Sequence, residues 1–419
     1  AGTLLLTGGL FLCRAMFLYL GAAAGKEALS LNRLGIRGSA RRRGRSLACV
    51  CLLACGVFMV IAVGAFRIDP TENAAAPESG TGGFAYFAQN DLAVLHDLNH
   101  EDGRYHYPFE DYTQKLPADL VPLRMREGDD ASCLNLNQAR EPRLLGVEPG
   151  LLKDRFTFAA TMEIDGKSGW ELLDHKLADD TVPAIVDQNT GMWALHVKLG
   201  DTLDYPTENG GTMRLKIVGM LAFSMLQGDV IISESAMVKH FPSNSGWRAF
   251  LADRPANGNQ TAWEAMLNSG LANHGLDLQR ADVRLAEFSQ VQNTYISIFQ
   301  ALGGLALLLG SLGLGVVVLR NVLERRGELA VMQAVGFRRE RLRRVVCMEH
   351  GLLLALGLVV GVSAALLAVW PSLNAPGSAM PWVSLGWMLG GVLASGMLWT
   401  WLAATAALRG ELLPALRHE

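Results

Sequence analysis

The chain has 419 residues, half of them hydrophobic and only 18% charged, with a mean hydropathy of +0.22. A soluble globular protein carries roughly a quarter charged residues, which argues against an ordinary cytosolic enzyme. The formal net charge of −3 hides an asymmetry: residues 67 to 292 hold 19 Lys and Arg against 33 Asp and Glu, a net of −14, whereas the rest holds 18 against 7, a net of +11.

Leu4 to Ala24 opens the chain as an apolar run interrupted by Arg14. Ser46 to Phe66, Thr294 to Leu319 and Trp382 to Leu408 carry no charge, and Val345 to Trp370 carries only Glu349 and His350 near one end. Each is long enough to cross the hydrocarbon core as a helix, which takes about 20 apolar residues. Burial in a soluble core is the poorer reading, because a helix apolar on all faces has nothing polar to show to water. Arg14, inside a span, is a functional candidate by its cost alone, or a group that pairs with an absent upstream half. Glu349 and His350 lie close to the inner interface, where snorkelling is favoured over a relay.

Basic residues in short connections mark the cytoplasmic side. Lys26 to Arg45 has seven, including Arg41, Arg42, Arg43 and Arg45; Arg320 to Arg344 has eight; Pro371 to Pro381 has none. The first two are expected inside and the third outside, which puts the acidic segment outside and the tail after Leu408 inside. Trp370, Trp382 and Trp387 fall where an outer aromatic belt belongs, and Trp399 and Trp401 toward the inner one. Five spans ending inside put residue 1 outside, yet the chain opens with Ala and nothing resembling a secretory signal. Residues 1–24 are therefore expected to be the last helix of a preceding membrane unit, followed by a cytoplasmic basic linker at 25–45. The alternative is an uncleaved anchor of unusual topology.

The outer segment, 67–292, reads as an α+β domain. Asn73 to Gly83 reads as a flexible exit from the membrane. Strands are expected at Thr181–Val186, Asp201–Tyr205, Met213–Met220, Asp229–Ile232 and near Val283–Leu285. Helices are expected at Gln188–His196, at Glu234–His240 with Ser233 as N-cap and Pro242 closing it, and at Ala262–Leu271. Cys133 is the one cysteine of this segment, so no internal disulfide can form there; Cys13, Cys49, Cys51, Cys55 and Cys347 lie in or at the spans as small apolar groups.

From Phe288 the sequence runs without Pro through Thr294 to Leu319 and into charged residues, so helical propensity continues past the membrane surface. Asn321 to Arg344 then clusters charge at both ends of an apolar stripe, Leu329, Ala330, Met332, Ala334 and Val335, with Gly336 placed to end a helix. A short amphipathic helix along the inner surface fits this pattern, as does a basic loop held inside by charge.

Glu324-Arg325-Arg326-Gly327-Glu328-Leu329-Ala330 through Ala334-Val335-Gly336 resembles the E-R-x-x-E-[IL]-x-x-x-x-A-[LV]-G motif of FtsX/MacB-type ABC transporter permeases. The layout over residues 46 to 408 is similar too: one helix, a large outer domain, then three helices with this motif after the first of them. Leu34 to Leu47 and Pro414 to Glu419 resemble the family's flanks. Val182 to Val186, Leu199 to Leu203 and Lys216 to Gly219 resemble its periplasmic core domain. Gly327 departs from the charge often found there.

The resemblance implies an α-helical membrane protein, a four-helix FtsX-like unit plus one preceding transmembrane helix, with an inserted extracytoplasmic MacB-like α+β domain. It divides the chain into 1–24, the end of a preceding permease repeat; the linker 25–45; a helix at 46–66; the outer domain 67–292; a three-helix domain 293–408 with a coupling segment at 321–344; and a tail at 409–419. The protein would be a non-catalytic, multi-pass subunit of the plasma (inner) membrane, with 67–292 on the periplasmic or extracellular side. A separate cytoplasmic ATPase would carry ATP and Mg, with no cofactor in this chain. Docking is carried onto Glu324, Arg325, Glu328 and Gly336, with Arg338 and Arg339 as weaker candidates. Further expected partners are a second permease unit (a homodimer or an upstream repeat), membrane lipids and an outer-side protein, with no nucleic acid. The work done would be export, extraction of a lipoprotein or lipid, or mechanotransmission. The alternative is a receptor-like signalling protein with an outer sensor domain, although no cytoplasmic stretch exceeds about 25 residues, too few for an output domain.

Other motifs are weaker. Gly166-Lys167-Ser168 lacks the first glycine of a phosphate loop, Thr161 standing there. His96 and His100 have zinc-protease spacing, but Asp97 replaces the required Glu; with His106 nearby, a solvated polar turn is favoured over incidental metal binding. Gly357 with Gly361, and Gly386 with Gly390, permit close helix packing.

Overall fold

The computed structural model describes residues 2–22, 39, 43–65, 73–129, 131, 139–177, 180–255, 258–373 and 382–409. Most of the 25–45 linker, Cys133, the greater part of the Pro371–Pro381 loop and the tail beyond Arg409 lie outside the described residues. Helices are α1 (Gly2–Ala22), α2 (Arg43–Gly64), α3 (Glu101–Arg104), α4 (Glu234–His240), α5 (Gln260–Gly270), α6 (Ala281–Glu324), α7 (Arg326–Ala334), α8 (Arg339–Leu373) and α9 (Trp382–Arg409). Strands are β1 (Tyr86–Val94), β2 (Leu120–Arg126), β3 (Arg143–Val147), β4 (Phe158–Thr161), β5 (Val182–Asp187), β6 (Thr202–Pro206), β7 (Thr212–Leu221), β8 (Asp229–Ser233), β9 (Trp247–Ala252) and β10 (Leu276–Arg280). The chain divides into two compact units, one of residues 1–67, 292–374 and 378–419, the other of 68–291 with 375–377.

The second unit is built on a ten-stranded sheet of order β10-β1-β9-β2-β3-β8-β5-β7-β4, with β6 on β7. Pairing is antiparallel except for β3 with β8 and β5 with β7. The strands at its centre are buried on both faces, and their period of two sorts the side chains. Leu144, Val182, Ala184, Val186, Val230 and Ile232 enter one core, while Leu145, Val147, Ile185 and Ile231 enter the other. The first core is completed by Met237 and Phe241 beside α4, and the second by Trp170, Leu172 and Leu285. A third core lies where Trp263 and Leu267 of α5 cover β1 and β9. Asp187, fully buried at the end of β5, accepts hydrogen bonds from Asn189 N, Ser224 N, Ser224 Oγ and Gln227 Nε2, tying the loop after β7 to β5. Burial pushes its carboxyl up, against those four donors.

Strands β5 to β8, the Ser233 cap on Ala236 N and helix α4 stand where the sequence placed them. Gln188–His196 is helical up to Leu195 but wound as a wide turn over Thr190–Leu195. Val283–Leu285 is not a strand: it lies in the first turns of α6, and the strand is Leu276–Arg280, paired with β1. The burial of Ala281, Leu285 and Ser289 has the spacing of four that a helix gives. Asn73–Gly83, expected as a flexible exit, is a run of hydrogen-bonded turns in which Thr81 is buried and donates to Ala74 O.

In the first unit, α1, α2, α6, α8 and α9 are long and apolar enough to cross a membrane. Helix α8 is central, touching α1, α2 and α9. Its approach to α2 is set by Gly357 and Gly361. A Cβ on Gly361 would stand 2.7 Å from Ala54 O and 2.9 Å from Val57 Cβ, and one on Gly357 would stand 2.9 Å from Leu53 Cβ. Gly386 and Gly390 meet nothing within 4 Å, so among the described residues of this chain no helix approaches closely at that pair. Arg14 is exposed on α1, whose Cys13 and Phe17 pack on Val50 and Leu353.

Gly361→Ala is expected to overpack the α2–α8 contact and cost about 1–3 kcal/mol. Gly390→Ala, at an open helical position, should leave stability unchanged or raise it by a few tenths of a kcal/mol to about 1. Thermal unfolding of the purified protein in detergent measures both.

Candidate coupling surface

Helix α6 is one uninterrupted helix of 44 residues, about 66 Å long. It stops at Glu324, a single residue, Arg325, breaks it, and α7 begins at Arg326. The break is marked by Arg325 N bonding back to Val322 O and by Leu329 N restarting the helical pattern on Arg325 O. Four residues past its last turn, α7 gives way to α8. That second corner is closed by Gly336 N donating to Gln333 O at 3.0 Å and Phe337 N to Met332 O at 3.1 Å. These two bonds satisfy carbonyls left open at a helix end and require a left-handed residue, supplied by Gly336 at φ +105°.

Arg325 ties three helices together. Its Nη1 lies 3.0 Å from Glu349 Oε2 on α8 and its Nε 3.2 Å from Glu328 Oε2 on α7. Only 5% of the Glu349 side chain and 17% of that of Arg325 is exposed. A buried carboxylate needs such a partner, because leaving it alone costs several kcal/mol. Glu349 therefore does not snorkel, as expected from the sequence, but turns inward; His350 is buried too, with Nδ1 3.0 Å from Val346 O. The surrounding cavity, lined by Asn321, Leu329, Met332 and Val345 among others, holds about 10 Å³, room for no more than one water. A second, more exposed node joins Glu324 to Arg45 of α2 at 2.9 Å and to Arg320 one turn back at 2.8 Å.

The predicted site residues thus fall into two groups. Glu324, Arg325 and Glu328 are committed to ion pairs within the chain and shape the corner. Arg338 and Arg339 are exposed, and among the described residues neither forms an ion pair. The apolar stripe also splits: Leu329 and Ala330 are buried and Met332 is half-buried, whereas Ala334 and Val335 are exposed. Val331, absent from the predicted stripe, is 52% exposed and Val335 76%. One turn apart, they form an apolar outer face on α7. Spacing of i, i+4 signals this face in the sequence, but nothing there says which of two apolar faces the protein covers.

The weaker motifs resolve as structural. Ile164 and Lys167 exchange both backbone hydrogen bonds around Asp165 and Gly166, leaving no cradle for a phosphate. His96 and His106 stack with ring centroids 3.9 Å apart, and His100 Nε2 lies 3.5 Å from Asp97. Among the described residues no group of three or more His, Cys, Asp or Glu could hold a metal.

Residues 301–412, which include both corners and most of the apolar stretch of α6, match the FtsX-like permease C-terminal family. The chain carries an FtsX-like permease C-terminal domain. It is 25% identical over 229 residues to the uncharacterized ABC transporter permease YknZ of Bacillus subtilis (strain 168), an alignment covering 51% of this chain and 55% of the relative. The chain thus spans about half the length of that curated relative. It also aligns with the crystal structure of the periplasmic region of MacB from Actinobacillus actinomycetemcomitans, covering 54% of this chain and 98% of that one, at 12% identity and a TM-score of 0.29, a likeness too distant to carry an argument.

Replacing Arg325 by Glu leaves Glu349 buried against a like charge and should cost about 3 kcal/mol or more. The double variant R325E/E349R restores a pair across the same gap and should recover most of the loss in thermal unfolding. Equal destabilisation by single and double variants would remove the pair from its bridging role.

Proposed function

We propose that the chain is the permease subunit of an FtsX/MacB-type ABC transporter, and that the outer face of α7 is where a separate cytoplasmic ATPase docks. The exposed pair Val331 and Val335 carries the reading, with Arg338 and Arg339 following at the α7–α8 corner. A docking element needs an apolar centre with a polar rim, held in one orientation. The α6–α7 break, the Arg325 ion pairs and the Gly336 corner supply that orientation. ATP and Mg belong to the partner, and Glu324, Arg325, Glu328 and Gly336 act by positioning α7 for it. Movement of α7 would pass into α6 and α8, and along α6 toward the outer unit, serving export, extraction of a lipid-anchored cargo or mechanotransmission.

Helix α6 supports a second permease unit as partner. Tyr295, Ile298, Leu302, Leu305, Leu309, Leu312, Val316, Leu319 and Leu323 are all exposed and follow one another at steps of three and four. That repeat, averaging 3.5 residues, is the spacing used by a left-handed helix pair, and its apolar side chains equally suit contact with lipid.

Val331→Asp with Val335→Asp should weaken the docked complex by about 2 kcal/mol or more, about thirtyfold in affinity, and abolish stimulation of the partner's ATP turnover in lipid. Glu328→Lys, which also breaks a contact of Arg325, should reduce it less. Unchanged coupled turnover in both variants sinks the docking assignment and brings the receptor reading forward, to be tested by ligand binding.

Single cysteines at Leu302, Leu309 and Val316 of α6, in a background without the native thiols, should cross-link between two chains on mild oxidation in membranes. Cysteine at Leu307, buried within the chain against Gly56 of α2, should not; cross-linking without that periodicity would remove α6 from the interface.

A further inference from the structure

On the side of α8 facing α9 lies a groove of about 420 Å³, lined by Cys347, Met348, Gly351, Leu354, Ala355 and Met397, with Arg344 at its end. Its walls are apolar, and its floor is formed where α9 comes close to α8: a Cβ on Gly396 would stand 2.7 Å from Leu354 Cδ1. Met348 and Met397, unbranched and adaptable, are 39% and 40% exposed along its rim. At the arginine end, Arg343 lies over the Trp401 ring, 5.6 Å from its centroid.

We infer that this groove is a binding site for one anionic phospholipid of the leaflet on the arginine-bearing side. Three observations lead there. First, length: from Arg344 to Ala355 α8 rises about 16 Å, close to the ~15 Å depth of one hydrocarbon leaflet, so a slot open along this stretch accepts an acyl chain over one leaflet. Second, charge: Arg338, Arg339, Arg341, Arg343 and Arg344 stand within seven residues against the single Glu340, and among the described residues none of the five forms an ion pair. Arg344, exposed at the mouth, offers its guanidinium to a phosphate, with Glu340 one turn back outside ion-pair distance. Third, position: Arg343 on Trp401 marks headgroup level, where indole rings settle. A second copy of the chain is the lesser fit, because the seam proposed for a second permease unit lies on α6 and the arginine at the groove's end matches an anionic headgroup. The inference needs the membrane reading but not the docking of an ATPase, so the two fail separately.

The test is native mass spectrometry of the full chain released from detergent after incubation with phosphatidylglycerol or with phosphatidylcholine of the same acyl chains. The protein should retain one phosphatidylglycerol in preference to phosphatidylcholine. Arg344→Gln, a change of the kind that exposed positions tolerate without loss of folding, should cut the retained phosphatidylglycerol about fivefold and leave phosphatidylcholine unchanged. Ala355→Phe, which fills the slot, should reduce both. Equal retention of the two lipids by the native chain, or a phosphatidylglycerol preference that survives Arg344→Gln, overturns the site. So does a change in oligomeric mass, without lipid loss, on filling the groove.

Discussion

The membrane unit depends on the close approach of α2 and α8. Between apolar helices in lipid there is little hydrophobic driving force, since hydrocarbon tails are as apolar as leucine, and association rests on packing and on backbones that can come near one another. Gly357 and Gly361 let α8 approach so closely that a single added methyl at either would press on Leu53, Ala54 or Val57. Everything else in the unit is referred to that pair. Helix α1 lies against both, α9 against α8, and α6 sets Leu307 against Gly56 of α2. The α2–α8 pair thus contacts each of the other three spanning helices.

Given that frame, the corner around Arg325 has little freedom. Glu349 belongs to α8 and Arg45 to α2, so the two ion-pair nodes bind the α6–α7 junction to the same two helices that glycine brings together. The nodes differ in kind. The Arg45–Glu324 pair is part exposed, and such pairs contribute little stability. The Arg325–Glu349 pair is buried, where a broken pair costs far more than an intact one gains. Its contribution is therefore to specificity of position: the corner has one arrangement in which Glu349 is satisfied. A corner so fixed can move only together with α8, which is what the proposed coupling requires.

Much of this was legible in the sequence. Five spans, the acidic domain between two of them and the Asn321–Arg344 segment follow from length and charge alone, and the strands β5, β7 and β8 from short runs of β-forming residues. The losses have physical causes. Around residue 283 the apolar positions, Val283 and Leu285, were too few to separate a strand from the start of a helix; the deciding contact, Leu285 in the core beneath the sheet, is a tertiary fact. Helix α7 shows apolar residues on both sides, and only the packing of Leu329 and Ala330 against α6 and α8 reveals that Val331 and Val335 face outward. Glu349 illustrates the same limit. A carboxylate near the end of a span reads as a snorkelling group until its partner, 24 residues away in sequence, is known.

The two ends of α6 present contrasting constraints on what one helix can carry. Its first turns are held in the second unit by Leu285 within an apolar core and by Arg284, stacked on Phe87 and donating to Met225 O. Its last turn is held by Glu324 to Arg45 and, one residue on, by Arg325 to Glu349. Between them lie more than thirty residues without proline and with an apolar seam on the exposed side. A helix anchored at both ends and hydrogen-bonded throughout does not stretch, because lengthening it would break backbone bonds that have no other partner in lipid. It can tilt, rotate or shift along its axis as a body.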